Sequence, residues 1–357
     1  MASGQQDIQM DEANVVRTLE WQADHARNNG APCTARVVRA FVPLLEGTSL
    51  VGWKMRNWPG PSLEDAMPLR LAGGLHFLHL TGRDDRLGPI YAGENVDQAD
   101  IDSIVGRIVA DHDAELLPWF DGPPQTNEAG RSAGIMAQLL WLSRRLGPRF
   151  ELNEIGSSAG INAMMDRFAF DLGGVRAGAQ NSPMHIRPEW RGPPPPDSAV
   201  EIVSIQGCDV HPINLADPDQ ALRLKSYVWP DMPERLQRID AAIALVAQRR
   251  PDVALMDAAD WVEGRLAAPQ ADGLARVLFH SIVWQYIPES GRARIESAMA
   301  AAGARATPQK PLAWVTVETN RQTFRHELRC RFWPGGGQET LLGEAHAHGA
   351  WVHWQGD

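Results

Sequence analysis

Residues 151–166 read ELNEIGSSAGINAMMD and contain two overlapping motifs that imply different chemistry. From Glu154, the stretch is an acidic residue followed by a glycine-rich turn, which is typical of a loop that joins a strand to a nucleotide-binding helix. From Gly156, the same residues form G-x-S-x-G, the sharp turn that presents the nucleophilic serine of a hydrolase, here Ser158. The first motif predicts a cofactor site and the second a covalent catalyst.

Acidic residues recur at the positions that a cofactor site requires. Asp209 follows the apolar run EIVSIQGC and Asp257 follows VALM, so each stands near the end of a predicted strand. In a doubly wound sheet the ligand lies across the carboxyl ends of the strands. A carboxylate after the second strand can accept both ribose hydroxyls, and one after the third strand can receive an adenine amino group. The acids therefore favour an adenosyl cofactor.

The residue at position 158 indicates which adenosyl cofactor the loop can bind. Dinucleotide sites have a glycine at this place in the loop because the backbone approaches a pyrophosphate, and a side chain there obstructs that approach. S-adenosylmethionine has no phosphate, and the hydroxyl of Ser158 could bond its methionine end. The sequence therefore favours S-adenosylmethionine over NAD.

A cluster of polar residues stands at the start of an otherwise apolar predicted helix, and it consists of Gln125, Asn127, Glu128 and Arg131. Asn127 or Thr126 could cap the helix, but capping explains only one of these residues. The planar guanidinium of Arg131 matches the geometry of a carboxylate. We expect Arg131 to pair with the carboxylate of methionine or of the substrate, and the other three residues to contact the substrate.

The segment HSIVWQYIP, residues 280–288, follows the fourth predicted strand, where groups that assist methyl transfer belong. Methyl transfer requires alignment, exclusion of water and, for some acceptors, a base. His280 could be that base, with Gln285 and Tyr286 beside it, unless it is a hydrogen-bonded core residue. The ring of Trp284 could contact the substrate and steady a sulfonium. An Asn/Asp-Pro-Pro-aromatic loop is absent, which argues against the amino group of a nucleic-acid base as acceptor.

The hydrolase alternative requires an acid and a histidine after Ser158, and the chain offers Asp257, His280, His346 and His348. A nucleophile turn normally follows several strands, whereas the residues before it here are mainly predicted helices. An upstream oxyanion stretch of the H-G-G-G type is also missing. A third alternative is a non-catalytic protein that binds an adenosyl ligand.

Three histidines near the end, His346, His348 and His353, raise the question of a metal. An H-x-H pair on a strand points two imidazoles in the same direction. No further ligand has a suitable spacing, so we expect no metal.

The elements that position these residues follow from apolar periodicity. Residues 14–143 place apolar side chains at intervals of three and four, which predicts helices, and strands then alternate with helices. This pattern predicts an α/β fold with a doubly wound, mostly parallel sheet. We expect a helical N-terminal cap at residues 1–147 and a Rossmann-like α/β domain at 148–357. An exposed insertion at about 172–199 and a C-terminal antiparallel hairpin at the sheet edge complete this prediction.

Composition excludes several classes of partner. The formal net charge is -10, and no Lys/Arg-rich run is present, so nucleic acid is a poor partner. No apolar run approaches the roughly 20 residues of a membrane span, and the first residues do not form a basic-then-apolar leader. We therefore expect a cytoplasmic protein. Its three cysteines, Cys33, Cys208 and Cys330, are far apart and predict buried thiols.

Five motifs together resemble the bacterial family labelled domain of unknown function 2332, and the resemblance covers nearly the whole chain. They are QTNEAGRSA at 125–133, EIGSSAGIN at 154–162, GCDVHP at 207–212, VWPD at 228–231 and FHSIVWQYIP at 279–288. That family brings no established activity. Its layout of strands and acids is similar to that of the class I S-adenosylmethionine-dependent methyltransferases.

This similarity implies a set of cofactor-binding residues, namely Glu154, Gly156, Gly160, Asp209 and Asp257, beside Ser158 and Arg131. Two features depart from the methyltransferase pattern: Ser158 itself and about forty residues between the first two strands of the sheet. Asp166 and Asp171, inside that long connection, are alternatives to Asp209 as the ribose ligand. We expect S-adenosylmethionine-dependent methylation of a small molecule held between the cap and the sheet.

Overall fold

The computed structural model describes residues 15–357. The contacts of the chain form two compact units. The first ends at Thr126 and also includes Leu222–Gln237, and the second comprises Asn127–Ala221 and Arg238–Asp357. The sequence predicts a boundary between residues 147 and 148, whereas the contacts begin the second unit at Asn127.

The first unit is helical, and no strand lies among its described residues. Its helices before residue 127 are α1 (Val15–Asn28), α2 (Pro32–Arg39), α3 (Leu50–Arg56), α4 (Met67–Leu80), α5 (Gly88–Tyr91), α6 (Gln98–Asp111) and α7 (Asp113–Leu116). Side-chain caps start two of them, because Ser49 accepts from the N–H of Gly52 and Asp97 from that of Asp100. Their apolar faces form one core around fully buried Phe41, as the periodicity predicts.

The second unit contains all the strands of the described chain. They are β1 (Arg149–Ile155), β2 (Ala169–Leu172), β3 (Val175–Gly178), β4 (His185–Ile186), β5 (Glu189–Arg191), β6 (Glu201–Asp209), β7 (Val253–Leu255), β8 (Ala275–Ser281), β9 (Leu312–Thr319), β10 (His326–Trp333), β11 (Thr340–Ala345) and β12 (Trp351–Trp354). The remaining helices of the chain are α8 (Ser132–Leu146), α9 (Pro218–Ser226), α10 (Pro233–Gln248), α11 (Ala258–Ala267) and α12 (Glu289–Gly303). None of the helices among the described residues combines the length and apolar character needed to cross a membrane.

Nine strands form one sheet in the order β5-β12-β11-β10-β9-β8-β1-β6-β7. The five strands from β9 to β7 in this order are parallel, and β9 to β12 pair antiparallel. The prediction of an α/β fold with a mostly parallel sheet is confirmed. Its central strands β1 and β8 are buried almost throughout, as expected of strands covered on both faces.

Two details of the sheet differ from the sequence prediction. The hairpin of β10 and β11 does not form the edge, because β12 and then β5 continue the sheet beyond it. The predicted insertion also contains β3 and β4, which join β2 in a separate three-stranded sheet. Strands of two to four residues are too short for periodicity to reveal.

Helix α8 packs on the sheet and explains why the second unit begins before residue 147. A Cβ atom at Gly134 would lie 2.6 Å from a methyl carbon of Leu328 in β10. The side-chain amide of Gln138 donates to the carbonyl of Thr316 in β9 at 3.1 Å. The helix therefore belongs to the wall of the sheet, although the sequence before it is helical as well.

Candidate functional site

The order of the strands defines where a ligand site is expected. From β1 the chain continues to β6 and β7 on one side, and it returns to β8 and β9 on the other side. The connections thus leave in opposite directions at β1 and β8, and such a switch point opens a crevice at the carboxyl ends of the strands. Glu154 in β1 stands opposite Gly207 in β6 and Phe279 in β8.

The loop after β1 has an unusual backbone. Gly156 and Gly160 have φ values of +69° and +68°, and Ser158 has a φ of +51° although it carries a side chain. A Cβ at Gly156 would lie 2.2 Å from a methyl carbon of Val283, so glycine is required there for space and for conformation. A left-handed residue other than glycine, such as Ser158, is disfavoured and often found at functional sites.

Hydrogen bonds to β6 and to the segment before α8 hold this loop in place. The N–H of Ser157 donates to the carbonyl of Cys208 at 3.0 Å, and that of Ser158 donates to Oδ2 of Asp209 at 2.8 Å. The N–H of Ile161 donates to the side chain of Asn127 at 2.7 Å. The loop is therefore fixed from β6 on one side and from the segment before α8 on the other.

Glu154 is buried at the end of β1, with 2% of its surface exposed. Burial, with a smaller contribution from the nearby charge of Asp209, raises the pKa of its carboxyl group to about 8, while the side chain of Ser157 and the charge of Arg131 oppose the shift. At neutral pH the group is therefore mostly a neutral acid that can donate a hydrogen bond.

Several polar groups of this loop are buried without a partner. Oε2 of Glu154, Oγ of Ser158 and both amide atoms of Asn162 have no hydrogen-bond partner among residues 15–357. Buried polar groups in folded proteins almost always have one. Their concentration in one short segment at the switch point marks it as a place where a polar ligand can bind.

Asp209 ends β6, as predicted, and faces the loop. Its two carboxylate oxygens each accept one hydrogen bond at 2.8 Å, from the N–H of Ser158 and from that of His211. Each oxygen retains a further lone pair for a ligand. The alternatives have other contacts: Asp166 pairs with Arg249, and Asp171 accepts from the N–H of Gly174 at 3.1 Å in the small sheet.

Asp257 lies two residues beyond β7 and is exposed. Its Oδ1 caps α11 by accepting from the N–H groups of Ala259 at 2.8 Å and Asp260 at 3.2 Å. The carboxylate is thus positioned at a helix start by its own hydrogen bonds, and its role toward an adenine ring stays a prediction.

In the polar cluster before α8, Arg131 contacts the end of β8, at the same edge of the sheet as the loop after β1. Nε of Arg131 donates to the carbonyl of Ala347 at 2.8 Å, and Nη1 donates to that of Ser281, the last residue of β8, at 3.3 Å. Neither the 3₁₀ helix Ala129–Arg131 nor α8 has a side-chain cap, and the side chain of Asn127 binds the loop instead. Glu128 is buried, whereas Gln125 belongs to the first unit.

His280 is held on both sides of its ring. Its Nε2 accepts from the indole N–H of Trp314 at 3.0 Å, so Nδ1 carries the proton and donates to Oε1 of Glu318 at 2.6 Å. The ring is 2% exposed and stacks on Trp284 at 5.1 Å. This geometry corresponds to the hydrogen-bonded core histidine of the alternative reading, because the ring cannot accept a proton without losing the Trp314 bond.

The two other predicted catalytic residues lie in the turn after β8. Gln285 accepts from Nη1 of Arg321 at 3.1 Å, and Tyr286 is 74% exposed. Their side chains make no hydrogen bond to His280 among the described contacts, and a catalytic role for them stays a prediction.

A cleft of about 390 Å³ opens beside His280, and we call it the Trp284 cleft. It is lined by His280, Trp284, Glu296, Trp314, Thr316, Glu318, Thr319, Asn320, Glu327, Arg329, Cys330, Arg331 and Glu339. Only His280 and Trp284 were sequence candidates. The other residues come from α12 and from β9 to the start of β11, and no motif connects them.

The C-terminal histidines form a small cluster without a metal arrangement. The rings of His346 and His348 are 5.4 Å apart, and the N–H of His348 donates to Nδ1 of His346 at 3.2 Å; His353 lies in β12. Within residues 15–357, no three His, Cys, Asp or Glu side chains are grouped so that they could hold a metal ion. All three cysteines are buried and free.

Comparison with known proteins gives one match. The model of a family described as "Uncharacterized protein conserved in bacteria (DUF2332)" matches residues 16–354. No curated protein and no solved structure matches the chain. The match covers both compact units and the whole of the loop at the switch point.

Proposed function

The chain belongs to the bacterial DUF2332 family, and we propose that it is an S-adenosylmethionine-dependent methyltransferase that acts on a small molecule. The observation that carries this proposal is the group of unpartnered buried polar atoms of Glu154, Ser158 and Asn162 at the switch point. They lie in or beside the turn of left-handed residues that follows β1, a central parallel strand, and the carboxyl ends of such strands are where α/β sheets bind cofactors.

The arrangement of the sheet supports the proposal. The strands run β7-β6-β1-β8-β9 in parallel and continue into antiparallel β10, an order similar to the class I methyltransferase layout. Acids stand at the ends of the three strands on the β7 side, at Glu154, Asp209 and Asp257. Ser158 at the middle of the loop is compatible with a cofactor that lacks a phosphate.

Each residue has a defined task in this proposal. The free lone pairs of Asp209 accept the ribose hydroxyls, Asp257 receives the adenine amino group, and the hydroxyl of Ser158 bonds the methionine end. When bound, the cofactor supplies an electrophilic methyl group. The protein contributes alignment and exclusion of water, which are its main means of accelerating such a displacement.

The experiment is a calorimetric and thermal-shift titration with S-adenosylmethionine and S-adenosylhomocysteine. A ligand at about 100 times its Kd stabilises a protein by roughly 2.7 kcal/mol, so we expect a clear rise in Tm. Asp209→Asn should weaken binding at least about tenfold, since it replaces a charged acceptor. Asp272→Asn, an exposed change beside Lys310, is the control. Binding of neither ligand would refute the proposal.

One observation favours the second candidate, a serine hydrolase. Ser158 in G-x-S-x-G has a positive φ of +51°, as a strained nucleophile turn requires. Its Oγ, however, is buried and has no hydrogen-bond partner among the described residues, histidines included. Labelling by a fluorophosphonate probe that disappears in Ser158→Ala would favour the hydrolase over the methyltransferase.

A further inference from the structure

The lining of the Trp284 cleft carries a negative charge. Four carboxylates line it, from Glu296, Glu318, Glu327 and Glu339, against the guanidinium groups of Arg329 and Arg331. His280 adds no positive charge, because its Nε2 accepts the indole N–H of Trp314. The lining therefore favours a ligand with a positive charge.

Both guanidinium groups are already paired within the lining. Arg329 donates to Glu327 at 2.7 Å and to Glu339 at 2.5 Å, and Arg331 donates to Glu339 at 3.2 Å. These contacts neutralise the positive groups at the β10 side of the cleft. An anionic ligand would have to break them.

Two lining carboxylates are not paired with these arginines: Glu296, which is exposed on α12, and Glu318, which is held beside Trp284. Oε1 of Glu318 accepts from Nδ1 of His280 at 2.6 Å, from the N–H of Val283 at 3.0 Å and from that of Trp284 at 3.3 Å. Its Oε2 has no hydrogen bond or ion pair among the contacts of the described chain. Three donors thus fix one oxygen of a carboxylate that lines the cleft and leave its other oxygen without a donor.

Aromatic surfaces stand next to this acceptor. The rings of Trp284 and Trp314 are 5.5 Å apart and meet at 66°, so they form two walls of a corner. An indole face attracts a cation, most strongly where water is excluded. The guanidinium of Arg331 already lies 5.5 Å from the centre of the Trp314 ring, so Trp284 is the ring left for a ligand. A fixed carboxylate beside the indole ring of Trp284 is the chemistry that recognises an organic ammonium group.

We infer that the Trp284 cleft binds the ammonium group of a small amine, held between Glu318 and the indole ring of Trp284. His280 and Glu318 are the next-to-last residues of β8 and β9, so the cleft lies toward the carboxyl edge that carries the Glu154 loop. The identification of this amine as the methyl acceptor rests on the proposed function. The binding of the amine does not.

The test compares two probes of equal shape. Choline carries a quaternary ammonium group, and 3,3-dimethylbutan-1-ol replaces its nitrogen by carbon. We expect choline to bind the purified full chain, measured by calorimetry and ligand-observed NMR, at least about tenfold more tightly than the alcohol. Equal affinities, or no binding of choline, would overturn the inference.

Two variants locate the site. Glu318→Gln keeps an oxygen for the three donors and removes the charge, and it should weaken choline binding about tenfold while the affinity of the alcohol changes little. Trp284→Leu should weaken choline binding as well. Glu201→Gln, an exposed change at the start of β6, should have no effect. If Glu318→Gln keeps the Tm of the wild type and binds choline with unchanged affinity, the ammonium group binds elsewhere and the assignment is refuted.

The outcome is separable from that of the proposed function. Choline is titrated in the absence of any adenosyl ligand, and S-adenosylhomocysteine is titrated in the absence of choline. Binding of the adenosyl ligand without choline binding would leave the methyltransferase proposal standing and remove this inference. Choline binding alone would support the cleft and refute the methyltransferase.

Discussion

At the scale of single residues, Glu154 is the group whose chemistry differs most from its ordinary behaviour. Burial raises its pKa from 4.5 to about 8. Between these two values the folded chain retains a proton that the unfolded chain has released, so stability falls as pH rises through this range. The stability that this retained proton contributes is complete below about pH 4.5 and is lost by about pH 8.

Replacing Glu154 by glutamine should remove this dependence. The amide has nearly the same shape but does not titrate. The free energy of unfolding of Glu154→Gln, relative to that of the wild type, should therefore increase as pH rises from about 5 to about 8. The difference should grow by at most about 1.4 kcal/mol per pH unit. Urea unfolding across this range measures it, with Glu201→Gln as control. Parallel pH profiles for wild type and variant would contradict the assignment of a raised pKa to Glu154.

At the scale of elements, the loop after β1 depends on glycine at a position that the motif identifies. A Cβ at Gly156 would meet the side chain of Val283 at 2.2 Å, and the φ of +69° is unfavourable for alanine. Gly264 in α11 has nothing within 4 Å of its Cβ position. The two glycines therefore form a matched pair, one required and one replaceable.

We expect Gly156→Ala to lower the free energy of unfolding by about 2 kcal/mol or more, because strain and overpacking add. Gly264→Ala should raise it by about 0.5 to 1 kcal/mol, as alanine favours a helix. Urea denaturation of both variants checks this. Equal effects of the two substitutions would show that the loop does not have the tight contact with Val283.

The elements show where sequence reasoning succeeds and where it ends. Short runs rich in apolar residues, each ending in glycine or polar residues, predicted β1, β6, β8 and β9. The helix expected after the loop is a short 3₁₀ helix at Asn162–Arg167, which apolar spacing cannot distinguish from the start of an α-helix. The Trp284 cleft could not be predicted from the sequence, since its walls come together through the pairing of β8, β9 and β10.

At the scale of the whole molecule, the net charge of -10 acts on any charged ligand. Such a field raises the local concentration of cations, and salt screens it over about 10 Å at 0.1 M. The affinity of choline should therefore fall about threefold between low and high salt, whereas that of the neutral alcohol should not fall. Calorimetry at about 20 mM and about 300 mM sodium chloride measures the affinities of both probes. A parallel decrease for both probes would rule out an electrostatic origin.

Fold class could be predicted from the alternation of strands and helices, whereas the division of the chain could not. The helical character of the residues before β1 hides the fact that α8 packs on β9 and β10, a contact that appears only when the strands have come together. The return of Leu222–Gln237 to the first unit is equally invisible to local patterns. Both features are tertiary choices that periodicity does not encode.

The pairing of β5 with β12 has a consequence for how the chain matures. Within the described part of the chain, the strand Glu189–Arg191 pairs with Trp351–Trp354 alone, at the other end of the unit. During synthesis β5 emerges long before β12, at about 5 to 20 residues per second. β5 and β11 therefore lack the strand that lies between them until β12 has been made, and β12 then pairs with both and joins β5 to the sheet.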